Sequence, residues 1–208
     1  MIEMPFMTKT LPIILFVSSC AQFTFNDYTN IASAVFSDAE DVAISSEYIE
    51  LKGYSFAKVK IGGSPPAILS LAYIKDDLFT WVSASGQKLI TKHGKIIETF
   101  GLEHDLKLLN SIAHTFPIKK SHQLVQLSHP MAIVSQEIDS LQTVNETIVL
   151  DKNYSTELYV ETFTTTPIKW SEKNYYWVDK DSKRVIRSQQ HVHPYEDVIE
   201  IEFYYIYK

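Results

Sequence analysis

From residue 54 onward, apolar side chains recur at every second position in short runs rich in Val, Ile, Thr, Tyr and Phe, broken every ten or so residues by Gly, Pro, Asn or Asp. A period of two puts successive side chains on opposite faces, so these runs predict strands. They fall at 54–61, 67–75, 79–84, 87–92, 95–100, 123–128, 131–138, 141–150, 155–165, 173–179, 184–190 and 198–207. In the last, Ile199, Ile201, Phe203 and Tyr205 alternate with Glu200, Glu202 and Tyr204, as one buried and one wet face require. Upstream the period lengthens. Tyr28, Ile31, Ala32 and Val35 follow the i, i+3, i+4, i+7 spacing of one helical stripe, and Asn26 or Asp27 stands where a cap belongs.

Two hairpins are marked by their turns. Leu89–Lys92 and Lys95–Glu98 flank His93-Gly94, where Gly94 can take a positive φ. Tyr175–Val178 and Arg184–Arg187 flank a polar turn over Asp179–Lys183. Both predict antiparallel pairing. Gly62-Gly63-Ser64-Pro65-Pro66 is the strongest break, but too few strands flank it for separate cores, so it reads as a loop within one domain. The expected architecture is mainly β, a single domain behind one short N-terminal amphipathic helix.

Composition narrows the class. The 208 residues are 45% hydrophobic and 21% charged, as in a globular protein. With 19 Lys+Arg against 25 Asp+Glu, net −6, and no basic cluster, the chain lacks the surface that neutralises phosphates, and no nucleic-acid partner is expected. A lone cysteine, Cys20, excludes an internal disulfide and a Cys-rich zinc site.

The place of that cysteine matters most. Residues 1–20 run from a short polar start with Lys9 through an apolar stretch, Leu11–Val17, to small residues and Cys20. That is the plan of a cleaved export signal, and its apolar core is too short to span a bilayer. Met1, Met4 and Met7 are alternative starts. Val17-Ser18-Ser19-Cys20 resembles the bacterial lipobox. The resemblance implies cleavage before Cys20, removing residues 1–19, and covalent lipid on Cys20 of a single domain over 20–208. Several acyl chains at about 0.8 kcal/mol per buried CH₂ would anchor it without a transmembrane helix. Ala21 follows instead of Asp, which by the sorting pattern of Gram-negative lipoproteins implies the outer membrane, with the domain on the periplasmic face.

Three segments carry a wider resemblance. They are Ala72-Tyr73-Ile74 with Trp81-Val82-Ser83; Leu89–Thr99 running into Gly101-Leu102; and Tyr176–Asp179, Val185–Gln190 and the strand Glu200–Tyr204. In order and spacing, with the lipobox, they resemble the YjbF family, the group 4 capsule type of outer-membrane lipoprotein. The stretch 103–150 matches least. The resemblance implies a mainly β fold with an open or barrel-like antiparallel sheet and an accessory role in exopolysaccharide or capsule secretion. It implies an outer-membrane β-barrel protein as a partner, and it supplies no catalytic residue.

Candidate chemistry is sparse. His191 and His193, with Glu196 and Asp197 nearby, have the spacing of a zinc pair, but the preferred reading is a solvated strand end, and no metal or other cofactor is expected. Glu200 and Glu202 share a face as glycosidase carboxylates do, yet their alternation with Ile199 and Ile201 reads as a wet strand face. No nucleophile elbow or phosphate loop is present. Aromatics are the remaining signal, since eight of the twelve tyrosines lie after residue 150. Trp81, Trp177, Tyr176 and Arg187 are candidate contacts for a partner or glycan.

The expected function is therefore a non-enzymatic, lipid-anchored accessory of polysaccharide export. A lipid or lipoprotein carrier is the alternative and predicts a continuous apolar cavity between helix and sheet; a partner-binding module predicts a filled core and an exposed aromatic patch. A polysaccharide-modifying hydrolase comes third and predicts a cleft with two carboxylates.

Overall fold

A computed structural model describes residues 44–110 and 120–206. The signal over 1–19, Cys20 and the helix predicted over Tyr28–Val35 lie outside the described residues.

The described chain forms one short helix, α1 (Ser46–Lys52), and twelve strands. These are β1 (Phe56–Ile61), β2 (Ala67–Lys75), β3 (Leu78–Val82), β4 (Lys88–Lys92), β5 (Lys95–Phe100), β6 (Leu106–Leu108), β7 (Lys120–Leu127), β8 (Ala132–Val149), β9 (Asn153–Thr166), β10 (Ser171–Asp179), β11 (Val185–Gln190) and β12 (Ile199–Tyr204). Each strand pairs antiparallel with the next, and β1 also pairs with β12, from Phe56 opposite Tyr204 to Ile61 opposite Ile199. The sheet closes into a barrel, which leaves no open edge.

The weakest seam is at β6, whose register with β5 is the single pair Glu98 and Lys107. Asp105 reinforces it: its carboxylate accepts from Thr99 Oγ1 at 2.8 Å and from the Gly101 and Leu102 amides.

Alternation decides what fills the barrel. Ala57, Val59, Leu69, Trp81, Leu89, Val125, Val134, Tyr176, Ile199, Ile201 and Phe203 belong to one buried interior cluster. The outward set on β1 and β12 ends in Phe56 and Tyr204, which stack at 4.8 Å and are covered by Ile44 and by Tyr48 and Ile49 of α1. Ser45 caps α1, accepting from the Tyr48 amide, and Gly53 ends it at φ 65°.

Both predicted hairpins form. His93 (φ 50°) and Gly94 (φ 81°) make the two-residue turn between β4 and β5, and β10 pairs with β11 across residues 180–184 with a bulge at Trp177/Val178. Gly62–Pro66 is the β1–β2 loop. Two strand predictions differ. β6 was not expected, and the strands expected at 131–138 and 141–150 are one strand, β8. The gap left at residues 139 and 140 is no break: Asp139 pairs with Lys120 and Thr162 within the ladder, and a register shift between Gln142 and Asn145 bends the strand.

Candidate functional site

Of the predicted contact residues, Val17, Ser18, Ser19 and Cys20 lie outside the described residues. The other four separate into two environments. Trp81 and Tyr176 are fully buried inside the barrel, which corrects their reading as surface contacts. Trp81 donates from Nε1 to Thr91 Oγ1 at 2.9 Å and packs beside Phe203, and the Tyr176 hydroxyl donates to Gln190 Oε1 at 3.3 Å. Both stand on the inward parity of their strands, where a partner has no access.

Trp177 and Arg187 occupy the opposite parity, on the outer wall, and are cross-strand partners. The Arg187 guanidinium lies 5.2 Å from the Trp177 ring, with its Nη2 3.6 Å from Glu200 Oε2, and Trp177 Nε1 donates to Glu146 Oε2 at 2.8 Å. Tyr175 stacks beside Trp177 at 6.3 Å. Register extends this into two rows across β10, β11, β12 and β1: Tyr175, Gln189, Glu200, Lys60; and Trp177, Arg187, Glu202, Lys58. Over these four strands the wall runs from aromatic through planar polar to charged groups.

Glu200 and Glu202 are thus wall residues. Glu200 faces Arg187, and Glu202 accepts from the Tyr204 hydroxyl at 2.9 Å, so the wet-face reading fits their position on a convex surface. That hydroxyl is held well above its ordinary pKa by burial first and by the Glu202 charge second.

The two histidines part company because β11 ends at Gln190. His191 lies 3.8 Å from Glu172, while His193 is buried and stacks on His104 at 4.7 Å with Tyr195 tilted against both. They share no strand face, and among the described residues no group of three ligating side chains comes together. Burial, then the neighbouring His104, pushes the His193 imidazole down to about 4. Glu196, whose carboxylate accepts from the His104 amide at 3.3 Å, is raised by burial.

A second polar set, in the interior, was not anticipated. Lys95 Nζ lies 2.8 Å from both carboxylate oxygens of Glu161, and Asn174 Nδ2 adds a bond to Oε1 at 3.2 Å. Gln190 spans the barrel beside them, accepting from the Ile96 amide and donating to the Gly94 carbonyl and Ser188 Oγ. Its signal in the sequence is Glu161 between Tyr159 and Phe163, a charge on the inward parity of an otherwise buried ladder. These groups are consumed by one another, an arrangement that fixes strands rather than presenting an acid and a base to a substrate.

Fold and site together define a closed twelve-stranded meander barrel with a packed, partly polar interior and a mixed aromatic and charged outer wall. The chain matches the family described as Group 4 capsule polysaccharide lipoprotein gfcB, YjbF over residues 29–204, and it belongs to that family. It is 22% identical over 190 residues to an uncharacterized lipoprotein GfcB of Escherichia coli strain K12, covering 85% of this chain and 87% of that one. The crystal structure of the hypothetical lipoprotein YmcC from Escherichia coli K12 shares the fold, with a TM-score of 0.65 at 18% identity over 85% of this chain and 94% of that chain. The family description carries no catalytic activity.

Proposed function

We propose that the chain is a lipoprotein, made with a cleaved signal over 1–19 and held through lipid on Cys20 to the periplasmic face of the outer membrane. There it serves capsule or exopolysaccharide export as a non-enzymatic accessory. The barrel acts by binding, and the wall around Trp177 and Arg187 is its contact surface for an outer-membrane barrel protein or the glycan itself. One observation carries this reading: the interior acid–base groups are paired with each other, so the outer wall is where polar and aromatic side chains meet solvent. Aromatic rings beside planar polar groups suit sugar rings and protein interfaces alike.

The carrier alternative places its apolar cavity between the N-terminal helix and the sheet, and that helix lies outside the described residues; within the described barrel, the buried side chains of Trp81, Tyr176 and Phe203 pack the interior. The hydrolase alternative has less support, since Glu200 and Glu202 lie on a convex wall with partners of their own.

The test is complementation in a strain lacking this gene, reading palmitate-analogue labelling, membrane fractionation and surface polysaccharide. Cys20→Ala should lose the label, leave the outer-membrane fraction and reduce surface polysaccharide. Trp177→Ala/Arg187→Ala should keep label and location yet reduce polysaccharide. Retained outer-membrane fractionation of unlabelled Cys20→Ala would refute the anchor, and full polysaccharide from the double variant would refute the wall.

A further inference from the structure

The polar side of the barrel interior surrounds a cavity of about 20 Å³, lined by Lys95, Gln123, Gln136, Glu161, Asn174 and Gln190 among others. Gln123 is 3% exposed, and its Nε2 has no hydrogen-bond partner. A buried amide donor is almost always satisfied by protein or by ordered water, because an unmade bond forfeits the solvation it had in the unfolded chain. Nor is Gln123 isolated. Among the described residues, four buried side-chain polar atoms lack a partner, and the Ser121 and Ser140 hydroxyls are two of the other three. Register places both on the same interior wall. Ser121 precedes Gln123 by two residues on β7, and Ser140 follows Ile138 by two on β8, opposite Glu161. The fourth, His193 Nε2, belongs to the histidine stack at the barrel's other end.

Size and charge select the occupant. A cavity needs about 10–15 Å³ of such volume to hold a water, so 20 Å³ admits one molecule and excludes a sugar or a hydrated ion. An anion would face the Glu161 carboxylate, and a cation would meet the Lys95 ammonium already bound to it. Water can accept from Gln123 Nε2 and donate to a carboxylate, which no monatomic ion does.

We propose that this cavity is a hydration site. One ordered water bonds Gln123 Nε2 and ties β7 to the Lys95–Glu161–Asn174 network. This goes beyond the accessory role and does not depend on it.

A crystal structure of the mature protein, at a resolution that shows ordered water, tests the site. The expected result is a peak within about 3.2 Å of Gln123 Nε2. An empty cavity, or a Gln123 amide turned onto a protein acceptor, would overturn the proposal. In Gln123→Met the peak should vanish while Lys95 stays bonded to Glu161; a peak that persists would also overturn it. Should that variant fail to fold, water–amide cross-relaxation in the unaltered protein decides: the Gln123 side-chain protons should show long-lived water, and its absence refutes the site.

Discussion

Removing Lys95 probes whether the barrel interior is truly withdrawn from solvent. In Lys95→Met the Glu161 carboxylate, 2% exposed, loses two bonds of 2.8 Å and keeps only neutral neighbours such as Asn174 Nδ2 at 3.2 Å. Breaking a buried pair from one side leaves an uncompensated charge and costs about 3–5 kcal/mol. Against the roughly 5–15 kcal/mol that separates folded from unfolded domains, that is about a fifth of the total or more. Lys95→Met/Glu161→Leu removes both charges. It leaves Asn174 with one fewer acceptor, about 1–3 kcal/mol, so it should be more stable than the single variant. Urea unfolding of the unacylated Cys20→Ala chain, followed by tryptophan fluorescence at constant m, measures each change. A loss below about 1 kcal/mol for Lys95→Met would mean the pair behaves as a solvated surface pair, and the closed, desolvated interior would be wrong. A double variant losing the sum of the two singles would refute the coupling.

His193 should make stability depend on pH. Its folded pKa, about 4, lies below the unfolded 6.5, so the unfolded chain takes the proton first; the contribution is whole above pH 6.5, falls by about 3 kcal/mol as pH drops to 4, and levels off below. His193→Gln should flatten that slope in unfolding curves taken between pH 4 and 7, and an unchanged slope would assign it to other groups. Gly94→Ala should cost about 2–3 kcal/mol, because φ is 81° and a Cβ there would collide with the Val185 side chain. Gly86→Ala, at φ 87° with open space around it, should cost only about 1 kcal/mol when both variants are compared by urea unfolding; equal losses would deny the close approach of the β4–β5 turn to β11.

Much of the barrel was legible because its strands are punctuated. Gly94, Gly62 to Pro66 and the polar run at 179–183 fall where the structure turns, and the apolar alternation between them gives most of the strands. Closure was not legible. It depends on β1 meeting β12, a pairing between residues about 140 positions apart that no local period encodes. β6 escaped because three residues are too few to show alternation, and β8 was divided at residues 139 and 140, whose cross-strand partners no local period reveals.

The site shows the same limit at single-residue scale. Tyr176 and Trp177 are neighbours of like chemistry, and alternation requires that they part, but it does not say which goes inside. The third dimension assigns Tyr176 to the interior with Gln190 and Trp177 to the wall with Arg187. Once one strand's inward parity is known, register carries it around the ring: Tyr159, Tyr176, Ser188, Ile201 and Val59 are successive partners and all buried. Glu161, opposite Asn174, lies one inward step along from Tyr159, opposite Tyr176. A charge in that row is conspicuous only when the row is recognised as inward. That is why the interior pair was missed while the outer pair was found, and why polar residues on inward parity, rather than aromatics at large, mark where this barrel departs from an inert core.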